Sequence, residues 1–223
     1  MQDNENATQE RINEIMREFA AGFKFIGNYP KSVTFFGAHQ EKEDGPFYQD
    51  ARKLAGRIVT ELGYAVLTGG SSGIMEAANR GAFEAGGQSP GLHIKLPTEQ
   101  VSNDYITADI NFHYFFVRKV CLSFAAEAYI FYPGGYGTLD EFFEILTLVQ
   151  TKKVESVPII CVGDGYWTKL KELMREEVLS RENMLPEDLD LFTITDNHDE
   201  ILDIIKKAPV RTRMPVGTKY LDS

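Results

Sequence analysis

Nine residues near the middle of the chain, 133–141, combine three glycines, a threonine and two carboxylates in the order Pro-Gly-Gly-Tyr-Gly-Thr-Leu-Asp-Glu. The apolar run 128–132 before them is typical of a buried strand, and the periodic apolar residues after them are typical of a helix. Glycines let a backbone turn sharply and approach a ligand, and the N–H groups at a helix start attract anions. The stretch therefore predicts a site for a phosphorylated metabolite.

Glu141 has two possible roles on sequence spacing alone. If Thr138 is the N-cap residue, Thr138 and Glu141 form a capping box, in which the glutamate only satisfies an N–H group of its own helix. In the other interpretation, the carboxylate lies one turn inside a phosphate-holding helix end and faces the rest of the ligand. The spacing leaves both interpretations open.

A second glycine loop occurs earlier in the chain. Residues 68–75 read Thr-Gly-Gly-Ser-Ser-Gly-Ile-Met, directly after the apolar run 64–67 and before another periodic apolar segment. One such loop is weak support for a ligand site, because glycines also serve plain tight turns. Two of them on successive strand-helix units, at the same end of one sheet, are a much stronger indication.

Neither loop fits the common nucleotide-binding patterns. The chain has no G-x-x-x-x-G-K-[ST] sequence, so a P-loop is not supported. Asp140 stands where a dinucleotide fingerprint requires its third glycine. The predicted ligand is therefore a mononucleotide or a sugar phosphate.

The elements that must position these loops alternate between helices and strands. Helices are predicted at 8–25, 47–62, 167–179 and 199–206, and further strands at 33–36, 91–94, 111–117, 157–162 and 191–194. This alternation predicts the α/β class, with a Rossmann-like doubly wound parallel sheet and helices on both faces. We expect an N-terminal amphipathic helix (1–30), a single Rossmann-like domain (31–207) and a C-terminal tail (208–223).

Two adjacent cations, Arg118 and Lys119, stand at the end of the predicted strand 111–117, where the chain passes into a helix. Such a pair can hold an anion. Alternatively, Arg118 pairs with a surface carboxylate, which is the usual role of an arginine.

Composition excludes several classes of function. The net charge of -10 and the pI of about 4.9 argue against a nucleic-acid partner, which usually requires a basic stripe. No apolar run is long enough to span a membrane, and the N-terminus lacks the features of a signal peptide, so the sequence predicts a cytoplasmic protein without a membrane partner.

The cysteines and histidines show no metal-ligand spacing. Cys121 and Cys161 lie within apolar runs and are predicted to be core residues. Of the four histidines, His113 is predicted to pack within its strand, and His39, in the loop after the first strand, is a minor candidate for the site. No metal site is predicted.

Taken together, these motifs resemble the LOG family, the cytokinin-activating phosphoribohydrolases often labelled lysine decarboxylases. The family signature P-G-G-x-G-T-x-x-E is met in full by residues 133–141, and the Arg-Lys pair by Arg118 and Lys119. The family's first loop, G-G-G-x-x-G-[LI]-M, is met with one glycine replaced by Ser71. The resemblance covers most of the chain, roughly residues 33–205.

The resemblance implies hydrolysis of the N-glycosidic bond of a nucleoside 5′-monophosphate to a free base and ribose 5-phosphate, in domain 31–207, without a cofactor. It implies that Glu141 and Arg118 are the catalytic pair. The substrate-binding residues that it implies are Gly69, Gly70, Ser71, Gly73, Met75, Lys119, Gly134, Gly135, Gly137 and Thr138. It also implies a homodimer or a higher homo-oligomer.

Two alternatives to this activity remain at the level of sequence. Lysine decarboxylation requires a lysine that binds pyridoxal phosphate, and beside the glycine loops only Lys119 is available. A non-catalytic carrier of a nucleotide or of the molybdenum cofactor would share the fold and need the phosphate loops, but it would not need Glu141 at the sugar. The sequence does not identify the base.

Overall fold

The computed structural model describes residues 2–95 and 102–210. Seven strands, numbered in chain order, are β1 (Ser32–Phe36), β2 (Ala65–Leu67), β3 (Pro90–Ile94), β4 (Ala108–Phe112), β5 (Ala128–Phe131), β6 (Ile159–Cys161) and β7 (Thr193–Ile194). Seven α-helices are α1 (Gln2–Ile26), α2 (Pro46–Arg57), α3 (Ile74–Glu84), α4 (Phe115–Ser123), α5 (Tyr136–Gln150), α6 (Asp164–Leu173) and α7 (His198–Lys207).

All strand pairs in the described part of the chain are parallel. Five strands form a sheet in the order β2-β1-β5-β6-β7, and β3 pairs with β4 in a second ladder. An isolated bridge between Thr68 and Gly91 joins β3 to the end of β2. Because the chain runs outward from β1 in one direction and from β5 in the other, the sheet is doubly wound, as the sequence predicted.

Helices cover both faces of the sheet, and each face has its own hydrophobic cluster. One cluster is formed with residues of α1, α4, α5 and α6, including Phe142 and Trp167, which are fully buried. The other is formed with residues of α2, α3 and α7, including Leu54 and Ile74. The predicted stop after helix 47–62 is confirmed, since α2 continues as a π-helical turn, Ile58–Leu62, and ends at Gly63 with a φ of 69°.

The predicted strand 111–117 is wrong over its second half. β4 ends at Phe112, and α4 begins at Phe115. Phe115 and Phe116 are about half exposed, whereas Val117 and Cys121, four residues apart, are fully buried. The aromatic run thus follows a helical period rather than the alternation of a strand, and short apolar runs do not distinguish the two.

The remaining expectations have mixed outcomes. Both cysteines are free and buried in the core, as predicted. His113 is exposed rather than packed, because it lies in the turn between β4 and α4. Among the described residues, none of the helices is both long and apolar enough to cross a membrane. The domain boundaries and the cytoplasmic location stay predictions, and most of the tail 208–223 lies outside the described residues.

Candidate functional site

Three loops meet at the carboxyl edge of the sheet, after β1, β2 and β5. Ala38, in the loop after β1, donates its N–H to the carbonyl of Pro133 at 3.1 Å and accepts the N–H of Ile74 at 3.0 Å. It thereby connects the start of the loop 133–138 to the start of α3, which follows the loop 68–73. The two glycine loops predicted from the sequence therefore lie side by side, at the point where a doubly wound sheet usually binds its ligand.

The loop after β5 runs directly into α5 without a side-chain cap. Gly135 is the N-cap residue and Tyr136 the first helical residue, so Thr138 is the third residue of the helix rather than its cap. The capping-box interpretation of Thr138 and Glu141 is therefore wrong. The first N–H groups of a helix have no acceptor within the helix, and here no capping side chain accepts them. This helix end can accept an anion.

Glu141 lies in the second turn of α5 with its side chain directed inward. The residue is 5% exposed, and its Oε2 atom is buried without a hydrogen-bond partner among the described residues. Burial raises the pKa of Glu141 to about 7, although the positive charge of Arg118 acts to lower it. A carboxylate in this state is poorly stabilised by its own protein, which is typical of a group whose partner is a ligand or a reacting atom.

Arg118 lies in α4, one turn after the helix begins, and not at the end of a strand. Its Nε atom donates to the carbonyl oxygen of Leu92, on β3, at 2.7 Å. Burial lowers the pKa of Arg118, and the charge of Glu141 opposes that effect. The guanidinium is therefore an internal electrostatic neighbour of Glu141, and the alternative of a surface ion pair is not what the structure shows.

Gly69 is the residue against which Arg118 packs. A Cβ atom at position 69 would collide with Nη2 of Arg118 and would lie 2.9 Å from the sulfur of Met75. A side chain at position 69 would therefore displace the arginine or the methionine from its present position. The loop after β2 thus packs against Arg118 and limits where its guanidinium can lie.

A network of buried amides and hydroxyls holds the loop 68–73. Thr68 Oγ1 donates to Oδ1 of Asn79 at 2.6 Å and accepts the N–H of Gly70 at 2.9 Å. The Nδ2 atom of Asn103 donates to Asn79 Oδ1 and to the carbonyl of Ser71, each at 3.0 Å, and its backbone N–H donates to the carbonyl of Gly70 at 3.1 Å. Both backbone polar groups of Gly70 are thus already used within the protein.

His93 and His39 flank the same loop. The His93 ring is buried against Gly70, and burial lowers its pKa, which favours the neutral imidazole. The side chain of His39 is exposed, and its backbone carbonyl accepts the hydroxyl of Ser72 at 2.8 Å. His93 is thus the histidine that the structure places within the site, whereas the sequence favoured His39.

Lys119, next to Arg118 in α4, forms ion pairs with α5. Its ammonium lies 2.7 Å from Oδ2 of Asp140 and 3.2 Å from Oε2 of Glu144. Burial acts to lower the pKa of Lys119, but the hydrogen bonds to these two carboxylates outweigh it, and the pKa is raised. The structure therefore gives Lys119 the role of tying α4 to α5.

Three residues of the site, Asn79, Asn103 and His93, were missed at the level of sequence. Asn79 carried a signal, since it is a polar residue at a core position of the otherwise apolar run Ala77, Ala78 and Ala82. A buried amide requires hydrogen-bond partners, and the adjacent loop is the obvious place for them. Asn103 and His93 carried no comparable signal, because their roles depend on how β3 and the following segment return to the loop.

The chain is similar to proteins of a known family. The family described as possible lysine decarboxylase matches residues 75–205. The chain is 30% identical over 158 residues to cytokinin riboside 5′-monophosphate phosphoribohydrolase LOG3 of Arabidopsis thaliana, covering 67% of this chain and 70% of that protein. LOG4 of the same plant is also 30% identical over 158 residues, with the same coverage.

Solved structures show the same fold. The structural-genomics target TM1055 has a TM-score of 0.58 at 24% identity, covering 79% of this chain and 98% of its own. The molybdenum cofactor carrier protein of Chlamydomonas reinhardtii has a TM-score of 0.58 at 20% identity, covering 80% of this chain and 97% of its own. At these identities the two structures are informative about the fold alone.

The fold and the site define an α/β protein with two glycine loops and a buried carboxylate at one edge of its sheet. The chain belongs to the LOG-type family, the one described as possible lysine decarboxylase. The resemblance seen in the sequence is thereby confirmed.

The decarboxylase description does not fit the residues present. Pyridoxal phosphate would require a lysine whose free amine forms a Schiff base. Lys119, the lysine beside the glycine loops in the sequence, is bound to Asp140 and Glu144 and has a raised pKa. It is held as an ammonium, which is not a nucleophile.

Proposed function

We propose that this protein hydrolyses the N-glycosidic bond of a nucleoside 5′-monophosphate, releasing the free base and ribose 5-phosphate. The observation that carries the proposal is the buried, unpartnered carboxylate of Glu141, in the second turn of the helix that follows the loop 133–138. A family relationship to phosphoribohydrolases acting on cytokinin riboside 5′-monophosphates supports it.

The phosphate of the substrate would bind at the start of α5. The N–H groups at Tyr136, Gly137 and Thr138 are the first of that helix, and its positive dipole end adds to their attraction for an anion. Gly134 and Gly135 provide the turn that leads into the helix. The phosphate would lie at one end of the site and the sugar would extend toward Glu141.

Glu141 and Arg118 would act on the ribose. As the bond from C1′ to the base breaks, its electron pair leaves with the base, which takes a proton from solvent, and C1′ gains oxocarbenium character. The Glu141 carboxylate stabilises that charge and accepts a proton from the water whose oxygen adds to C1′. Arg118 orients the substrate, and its positive charge acts to lower the pKa of Glu141, which favours the ionised form.

A carrier function is the alternative, because molybdenum cofactor carriers share the fold. A carrier would require loops that bind phosphate, but no ionised group at a bond to be broken. Keeping a carboxylate buried without a partner is costly, and a protein that only binds its cargo has no use for it. Glu141 therefore favours the enzyme.

The test is a screen for base release. The protein is incubated with 5′-monophosphates of adenosine, guanosine, cytidine and uridine and of an N6-isopentenyl adenosine, and free bases are separated by chromatography. We expect release from at least one purine monophosphate. If all of them are bound without release, the carrier function is favoured and hydrolysis is wrong.

We also propose that the protein is a homodimer that uses the outer face of α5. A surface cavity of 630 Å³ on this face is lined by four apolar or aromatic residues, Tyr136, Leu139, Phe143 and Leu148, together with Asp140, Glu144 and Thr147, and Tyr136 is 94% exposed. The apolar residues of this face have more surface to bury than their own sheet covers. Light scattering at micromolar concentration should give twice the mass of the chain, and Phe143→Glu should give the monomer. A wild-type monomer would contradict the proposal.

A further inference from the structure

The N-terminal helix α1 packs on α4, the helix that carries Arg118. Gly22 allows the close approach, since a Cβ atom there would collide with Sγ of Cys121 and lie 3.0 Å from the ring of Phe112. Phe19 contacts Phe116 near the start of α4, and Phe23 contacts Phe124 beyond its end, with ring centroids 6.4 and 6.1 Å apart. α1 lies outside the region 75–205 matched to the family.

Glu18 joins α1 to the start of α4. Its two carboxylate oxygens accept the backbone N–H groups of His113, at 2.7 Å, and Tyr114, at 3.1 Å. Tyr114 is the N-cap residue of α4, and none of the helix's own side chains caps it. A carboxylate from another helix thus takes the place of a local cap, at the helix end where a negative charge is most favourable.

A short path connects Glu18 to Arg118. The N–H group of Tyr114 is bound by Glu18, and the carbonyl of Tyr114 accepts the N–H of Arg118 at 3.2 Å. Arg118 then extends to the Leu92 carbonyl, so both its backbone and its side chain are fixed. The backbone of Tyr114 therefore connects the carboxylate of α1 to the arginine of the site.

We propose that Glu18 is a positioning residue, which fixes the first turn of α4 and thereby holds Arg118 beside Glu141. The proposal rests on the function proposed above for its activity readout, but the contacts that carry it lie outside the glycine loops. It makes α1 part of the unit that performs the reaction rather than an appendage to it.

Because the charge of Arg118 affects the pKa of Glu141, that pKa reports on the position of Arg118 and would not change through a loss of stability alone. Glu141 is influenced by Arg118 and Lys119 of α4 and by Asp140 and Glu144 of its own helix. Of these, Arg118 is the one that depends on the start of α4 for its position, since Lys119 is bound to α5. If Arg118 moves away, Glu141 loses a positive neighbour and its pKa rises.

The experiment compares Glu18→Gln with Phe23→Leu. Glu18→Gln keeps the size of the side chain but removes the charge and replaces one acceptor oxygen with an amide that cannot accept an N–H. Phe23→Leu weakens the same helix pair at the far end of α4, away from Arg118. Tm, kcat, KM and the pH profile of kcat/KM are measured for each.

For Glu18→Gln we expect kcat to fall about tenfold and the acid limb of the profile to move to higher pH. For Phe23→Leu we expect a lower Tm with an unchanged acid limb. An unchanged kcat and acid limb in Glu18→Gln would overturn the proposal. The proposal would also be overturned if activity fell in proportion to Tm in the same way in both variants.

A second readout does not depend on turnover. Hydrogen exchange of residues 113–118 and the titration of Glu141, followed by carbon NMR and assigned with Glu141→Gln, are compared between wild type and Glu18→Gln. We expect faster exchange confined to 113–118 and a higher Glu141 pKa. If wild type releases no base, the proposed function fails, whereas unchanged exchange and titration would overturn the role of Glu18.

Discussion

The two glycine loops follow equivalent strands, yet they are held by different contacts. The loop after β2 is fixed by the side chains of Thr68, Asn79 and Asn103, which use the backbone groups of Gly70 and Ser71. The loop after β5 enters α5, and the loop after β2 enters α3, without a side-chain cap, but the first N–H group of α3 is bound by the carbonyl of Ala38 in the loop after β1. Similar sequence motifs therefore support different tasks at one edge of the sheet.

The difference assigns a task to each loop. In the loop after β2, both backbone polar groups of Gly70 and the carbonyl of Ser71 are used within the protein, and the loop contacts Arg118 at Gly69. A loop whose following N–H groups are unsatisfied is a binding surface for an anion. We infer that the loop after β5 contributes most of the phosphate affinity, whereas the loop after β2 mainly positions Arg118.

The largest expected effect comes from removing the phosphate of the substrate. Three hydrogen bonds from the start of α5 to a phosphate, each worth about 1.5 kcal/mol, would together contribute about 4.5 kcal/mol, so the nucleoside should show a kcat/KM on the order of 1000-fold below that of its 5′-monophosphate. Base release from the matched pair, measured under one set of conditions, checks this. Equal kcat/KM values would show that the helix start binds no phosphate.

The next effect concerns how Glu141, in α5, changes the stability of the protein with pH. Because the pKa of Glu141 is raised from 4.5 to about 7 by burial, the unfolded chain loses its proton at lower pH than the folded protein. The folded protein therefore loses stability as the pH rises from 4.5 through 7. Glu141→Gln, which never ionises, should be about 3 kcal/mol more stable than wild type at pH 8 and nearly equal to it at pH 4.5.

Thermal or urea unfolding at both pH values measures that difference. Glu172→Gln makes the same chemical change on the exposed surface of α6 and should leave stability unchanged at either pH. If Glu141→Gln destabilises the protein at pH 8, then the carboxylate has a stabilising partner, and the site is not built as described.

The smallest expected effect comes from a change in the loop after β2. Gly69→Ala places a methyl group where Nη2 of Arg118 now lies, so the arginine must move, and kcat should fall about tenfold with little change in phosphate binding. Gly165→Ala is the matched control, since a Cβ atom there meets nothing within 4 Å. Activity assays measure kcat, and calorimetry measures phosphate binding. Wild-type activity in Gly69→Ala would mean that the position of Arg118 does not depend on the loop after β2.

Much of this arrangement could be predicted from the sequence, because it depends on local patterns. The strands that carry the loops are short apolar runs, and glycines follow them directly, so the carboxyl edge and the loops meeting there follow from chain order and sheet topology. The catalytic pair of Glu141 and Arg118 came from the family motif rather than from spacing, and their role stays a prediction.

What could not be predicted depends on contacts between distant segments. The spacing of Thr138 and Glu141 suggested a capping box, but α5 begins two residues before Thr138, and element boundaries are poorly determined by local sequence. Glu18 is 95 residues from His113, and nothing in either segment indicates that one caps the other. Such contacts follow from how helices pack, which periodicity alone does not specify.

The most direct test of the central claim is base release by Glu141→Gln, paired with calorimetric binding of the same nucleoside 5′-monophosphate. The change preserves the size of the side chain and removes the charge that would stabilise the oxocarbenium ion. We predict that binding is kept within a few-fold while turnover falls by about a hundredfold or more. A folded Glu141→Gln protein that turns over at the wild-type rate would contradict the account.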